Sequence, residues 1–247
     1  MACGPGSCSP DAARQGAASP GETSGTRLFR VLALCAALTA TAFEARSQQN
    51  ADAATVPGLP AIGKWMLTSQ GVPSDWLGEV YQGRNLREPI NVIIVDEGAS
   101  SAEDAKARLL AAAAHAGYPI RFGHSTGYRG FIGGQLYTQL PQGRDDAFSN
   151  DVFEVSNNHG RIFGPHAFEQ GYLFTGAFSR EEVDPLRYPP HRYGSFNRAR
   201  DDFTQRLDRS TAFKVSGFVD LGNALIHDPK LTTGDHDGMA VVVRAGR

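Results

Sequence analysis

Three groups of residues in this sequence have types and spacings that can do chemistry. The loop Thr232-Thr233-Gly234-Asp235-His236-Asp237-Gly238 sets two carboxylates two residues apart around an imidazole. On extended backbone Asp235 and Asp237 face one way, so with His236 they can hold a divalent metal. The same residues are turn formers, and Asp237-Gly238 is an ordinary entry to a hairpin. The second group is His159 and His166, which flank Gly160-Arg161-Ile162-Phe163-Gly164-Pro165. These histidines can converge on a metal or an anion, with Arg161 helping to grip phosphate. A polar turn followed by a loop histidine reads the same way. In the third group, Ser179-Arg180-Glu181-Glu182 ends an apolar strand pattern and His191-Arg192-Tyr193-Gly194-Ser195 leads into a helix. Strand ends and helix N-termini present free N–H groups to anions, which places Arg180 and His191 among the candidate ligand-binding residues. Solvated arginines in surface ion pairs are the plain alternative.

No His-Glu-x-x-His, Gly-x-Ser-x-Gly, Walker or dinucleotide motif accompanies these groups. The chain of 247 residues is 41% hydrophobic and 20% charged, as a folded globular protein is. A net charge of -2 gives no field that would draw it to nucleic acid. The three cysteines are Cys3, Cys8 and Cys35, so nothing after residue 35 can do thiolate chemistry or bind zinc through sulfur.

Arg27 and Arg30 precede an apolar stretch, Val31 to Ala42, and small residues follow it. That order is the layout of a secretory signal over residues 27–47, cut after Ala42 or Ser47. Residues 1–26 are then a disordered extension, and the true start codon can lie downstream of Met1. An uncleaved signal anchor, the only contact with a membrane, is the competing reading. Cleavage yields a secreted or periplasmic protein without cysteine, stable from its core alone.

The elements that must position the candidates follow from pattern. Residues 48–63 read as a linker, and 64–247 as a single domain. Asn91-Val92-Ile93-Ile94-Val95 is a continuous apolar run, the mark of a strand covered on both faces. A helix starts at Ser100, with Glu103 completing a capping box, and stops at Gly117. Gln135 to Leu140, Asp151 to Val155 and Gly160 to Phe163 read as strands, the last two around an Asn157-Asn158-His159-Gly160 turn. Gly171 to Ser179 is the strongest later strand, and Glu181 to Tyr193 reads as a surface loop because of its prolines. A second helix, capped by Ser195, carries Phe196, Ala199, Phe203 and Leu207 on one face. Phe213 to Leu221 and Met239 to Arg244 complete the strands. Two helices cannot cover both faces of a parallel sheet. The expected fold is therefore α+β, a two-layer sandwich of a largely antiparallel sheet with both helices on one face. The 157–166 and 232–238 segments are expected as exposed turns at one edge, enclosing His159, Arg161, Asp235 and His236 in one cavity.

Pro89-Ile90-Asn91-Val92, the helix end Ala116-Gly117-Tyr118 and Arg161-Ile162-Phe163-Gly164 together resemble the LssY C-terminal domain family, over residues 86–195. Tyr118 stands where that family has tryptophan, and His191-Arg192 where it has paired histidines. That family is often found beside membrane phosphatase domains; the resemblance implies an exported α+β module and brings no chemistry to particular residues. The sequence therefore reads as a cell-envelope module that binds a ligand or protein partner, without a cofactor. The alternative is a hydrolase or phosphoesterase assisted by a divalent metal at the 159–166 and 235–237 segments.

Overall fold

The computed structural model describes residues 52–140, 146–187 and 190–246. The expected extension and signal, 1–47, lie outside the described residues. The strands are Ala53–Ala54 (β1), Ile62–Gly63 (β2), Asp75–Tyr81 (β3), Arg84–Arg87 (β4) and Val92–Asp96 (β5), followed by the helix Ala102–His115 (α1). Next come Ile120–Arg121 (β6), Arg129–Ile132 (β7), Gln135–Leu140 (β8), Ala147–Ser149 (β9), Asn157–Phe168 (β10), Gly171–Val183 (β11) and His191–Ser195 (β12). The helix Phe196–Ser210 (α2) precedes Lys214–Asp220 (β13), Leu231–Thr232 (β14) and Met239–Ala245 (β15).

The fold is mostly β, with an antiparallel-rich sheet of twelve strands along the path β1-β2-β7-β8-β10-β11-β5-β15-β13. β12 adds to β11, and β9, which pairs β6, adds to β10. In this sheet β5 and β15 form a parallel pair, and β14-β4-β3 make a separate small sheet.

The apolar run of β5 explains its central place. Val92 and Ile94 join the cluster that contains Leu109 of α1 and Phe203 of α2. Ile93 and Val95 join the cluster on the other face, with Ile62, Met66 and Phe163. All four are fully buried, each contributing roughly 1.5–3 kcal/mol of transfer free energy. A strand apolar at every position is stable only where both faces are covered.

Both helices start as capped helices should. The cap of α1 is Ser101 rather than Ser100: its side chain accepts from the Asp104 backbone N–H, while Ser100 bonds the Asp104 carboxylate. Gly117 follows the helix at φ 81°, the left-handed conformation that favours glycine. Ser195 caps α2, accepting from the Arg198 N–H, and Phe196, Ala199, Phe203 and Leu207 are buried along it.

Several expectations are corrected. The part of the 48–63 linker that is described belongs to the domain: β1 and β2 extend the sheet, and Val56 and Ile62 lie in its core. Asn157-Asn158-His159-Gly160 is no turn but the buried start of the twelve-residue strand β10. Asp151 to Val155 forms no strand. β11 runs on to Val183 and β12 starts at His191, so both ends of the expected loop 181–193 are paired strand. Among the described residues, no helix is long and apolar enough to cross a membrane.

Candidate functional site

Alternation along β10 and β11 builds the site. Ile162 of β10 and Phe174 and Phe178 of β11 point toward the helices. The residues between them, His159 and Arg161 on β10 and Ser179 and Glu181 on β11, point the other way. His159 stands opposite Ser179 and Asn157 opposite Glu181, which fixes the spacing of these side chains. Gly160 lies opposite Phe178, whose ring rests over it, so no side chain fits there. The loop between β6 and β7 brings His124, Ser125 and Tyr128. β3 brings Trp76, the end of β4 leads to Glu88, and β12 brings His191.

Apart from Ser179, the side chains on this face, with those of the loop, β3, β12 and Glu88, line a cavity of about 300 Å³. Trp76 donates from Nε1 to Ser179 Oγ at 3.0 Å, and Ser179 lies 3.4 Å from His159 Nε2. Asn157, whose Nδ2 donates to the Val155 carbonyl, holds His159 Nδ1 at 3.0 Å from its Oδ1. The rings of His124 and His159 lie 4.4 Å apart, and Phe153 stacks on His191 at 4.0 Å. One ligating atom each from His124, His159 and Glu181 lies within 4.8 Å of the others.

Arg161 is buried at the base of the cavity. Its guanidinium donates to the Ser125 carbonyl at 3.2 and 3.1 Å and to Ser125 Oγ at 3.1 Å, and lies 4.8 Å from the Tyr128 ring centroid. Among the described residues no carboxylate forms an ion pair with it. The carboxyls that face it are Glu88 and Glu181. Burial raises both to about 7, against an opposing pull from Arg161 itself. The histidines move the other way. Burial lowers His124 to about 4, with Arg161 and His191 pushing in the same direction. His159 falls well below its ordinary value for the same reasons, and burial also lowers His191. Burial thus favours neutral imidazoles and protonated carboxyls around the Arg161 guanidinium.

Of the residues singled out in the sequence, His159, Arg161 and His191 meet in this cavity. His166 does not: its Nδ1 bonds the Tyr137 hydroxyl at 2.8 Å. Arg180 bonds Asn158 Oδ1 at 3.2 Å and lies beside Glu182. The side chains of the expected metal set, Asp235, His236 and Asp237, are each engaged by other parts of the fold. Asp235 accepts from the Tyr193 hydroxyl, Ser195 Oγ and the Phe196 N–H at the start of α2. His236 is buried and bonds Asn223 Oδ1 at 2.8 Å. Asp237 pairs with Arg200 at 2.7 Å. The cavity at His159 and Arg161 has no lining residue from the 232–238 loop, contrary to the single-edge expectation.

Sequence reasoning missed His124, Glu181 and Glu88 as site residues. A histidine between Gly123 and Ser125 in a glycine-rich loop was a faint signal. Glu181 had a clearer one: it continues the alternation Thr175, Ala177, Ser179 along one strand face, where a carboxylate is out of place. Comparison of the chain with protein families, curated proteins and solved structures finds no match in any of the three.

Proposed function

We propose that this chain is an exported cell-envelope module, secreted or periplasmic, that binds a small anionic ligand in the cavity at Arg161. Its fold is read as a two-layer α+β sandwich, since α1 and α2 bury residues in the same cluster against one face of the sheet. The likeness to the LssY C-terminal family supports the same reading, and so does the signal-like order of residues 27–47.

One observation carries the ligand class. Arg161 is 4% exposed, and neutral acceptors and an aromatic ring orient its charge without an ion pair. A buried charge is costly unless compensated, and a planar guanidinium is suited to a carboxylate or phosphate. An anion entering the cavity supplies the paired counter-charge that Glu88 and Glu181, pushed toward neutrality by burial, give only in part.

Export and binding are tested on the same material. Protein recovered from the envelope fraction should begin between Phe43 and Ala51, whereas an intact Met1 in a cytoplasmic fraction overturns the export claim. Titrated with inorganic phosphate, the wild type should bind, Arg161→Lys should bind roughly tenfold more weakly, and Arg161→Met should give no heat. Equal binding by wild type and a folded Arg161→Met, or none by the wild type, overturns the ligand class.

A second reading, hydrolysis of a phosphoester in the same cavity, is favoured by Glu88. Its carboxyl is buried, takes a hydrogen bond from Ser74 Oγ at 3.2 Å, and is raised to about 7, the range suited to a general acid or base. That reading requires turnover of p-nitrophenyl phosphate that Glu88→Gln abolishes. Binding without turnover leaves the module non-catalytic.

A further inference from the structure

We infer that His124, His159 and Glu181 form a binding site for one divalent transition-metal ion of the zinc class, with His191 as the fourth ligand. This goes beyond the anion-binding reading and does not depend on it, since the ion's ligands are distinct from Arg161.

The first argument is the donor set. Two or three imidazoles and one carboxylate are ligands that zinc and its neighbours prefer over calcium or magnesium, which take all-oxygen sites. Cysteine plays no part, and the chain has none after Cys35. The second argument is convergence from four separate elements: the β6–β7 loop, β10, β11 and β12. Ligand atoms within 4.8 Å of one another need only modest closure. Tetrahedral ligands about 2.1 Å from an ion stand roughly 3.4 Å apart.

The third argument is what these side chains lack. His124 Nε2, Glu181 Oε1 and His191 Nδ1 are buried side-chain atoms with no hydrogen-bond partner. His191 Nδ1 and Glu181 Oε1 already contact each other at 2.5 Å, so the atom without any partner is His124 Nε2. Buried polar atoms are nearly always paired, so this one requires an explanation. An ion held with His159 and Glu181 gives it a partner. Asn157 Oδ1, 3.0 Å from His159 Nδ1, supplies the outer hydrogen bond that orients a metal-binding imidazole, and Nε2, with only the long 3.4 Å contact to Ser179 Oγ, is left for the ion. All four ligands line the same cavity as Arg161.

The test uses the metal alone, on tag-free mature protein. Cobalt(II) titration should reach saturation at one equivalent, with the visible absorption of a four-coordinate site and no thiolate charge-transfer band. Zinc should displace the cobalt and raise the melting temperature by several degrees. His124→Gln and Glu181→Gln should each weaken zinc binding at least ~100-fold, while His166→Gln, outside the cavity, binds as the wild type does. His124→Gln removes no hydrogen bond, so its metal-free form should fold and melt as the metal-free wild type does. The assignment fails if the wild type takes up no cobalt or zinc at micromolar concentrations. It also fails if a folded His124→Gln binds zinc as tightly as the wild type. Phosphate titration of the metal-free protein is a separate measurement, so loss of one reading leaves the other standing.

Discussion

Replacing His236 with alanine should destabilise the folded domain by about 3 kcal/mol, rather than the roughly 0.5 kcal/mol tolerated at an exposed turn. The imidazole is 4% exposed, and its Nε2 bonds Asn223 Oδ1 at 2.8 Å. Asn223 is itself fully buried, and its Nδ2 donates to the carbonyls of Lys64 and Ile90, both at 2.9 Å. His236 therefore fixes the amide that ties the 232–238 loop to the chain on either side of the small sheet. Truncation leaves a cavity and an orphaned acceptor, each of which is costly. For a domain of this size the melting temperature should fall by roughly 6–12 °C. Asp235→Ala should cost less, about 2 kcal/mol, because its carboxylate is exposed although it receives three hydrogen bonds at the start of α2. A melting temperature within a degree of wild type for His236→Ala would show that the loop is an ordinary turn.

The same residue gives a pH dependence with a definite sign. Burial lowers His236 to about 4 from 6.5, with Arg200 also lowering it and Asp237, Asp235 and Asp220 opposing. The unfolded chain therefore takes up a proton that the folded one refuses. The contribution is fully present above pH 6.5 and is lost as pH falls toward 4, by about 3 kcal/mol in all. Chemical denaturation at pH 7 and pH 4.5 should show His236→Gln losing less stability on acidification than the wild type. Equal losses would mean that His236 titrates freely in the folded state.

Asn91→Ala should destabilise the protein by a further route, with an expected loss of about 3 kcal/mol. Asn91 immediately precedes β5, and its side chain carries the pairing with β11 beyond the first residue of that strand. Nδ2 donates to the Phe178 carbonyl at 2.9 Å, and the Phe178 N–H donates to Oδ1 at 3.0 Å, all in the buried interior. Alanine leaves both backbone groups of Phe178 unpaired, each costing roughly 1–3 kcal/mol. Phe178 is also a packing centre, its ring stacked 4.1 Å from Phe203 of α2 and 6.2 Å from Tyr118. The melting temperature should drop by about 10 °C, against a change of at most a degree or two for the exposed Asn85→Ala. Equal melting temperatures for the two variants would show that Phe178 finds other partners.

The sequence alone determined what depends on near neighbours in the chain. The β-branched run Val92 to Val95 can only be an interior strand, and the stripe Phe196, Ala199, Phe203, Leu207 behind Ser195 can only be a capped amphipathic helix. Both are periodic patterns that report which faces must be dry. Arg161, His159 and His191 were also legible as chemistry-bearing residues, because their types are informative wherever they stand.

Tertiary structure decided where polar residues belong. Asn157-Asn158-His159-Gly160 has the composition of a turn, yet it begins a buried strand. Partners distant in sequence satisfy it: Arg180 and Asp202 for Asn158, and Ser179 for His159. Asp235-His236-Asp237 has the composition of a metal loop, yet Ser195, Asn223 and Arg200 engage its side chains. Ligand atoms within 4.8 Å of one another came instead from His124, His159 and Glu181, which no local spacing relates. A polar side chain has the same local propensity whether it is solvated, bonded in the core or poised to bind a ligand. Only the partners brought by the rest of the fold distinguish these states, because burying such a group is favourable only where those partners are in place.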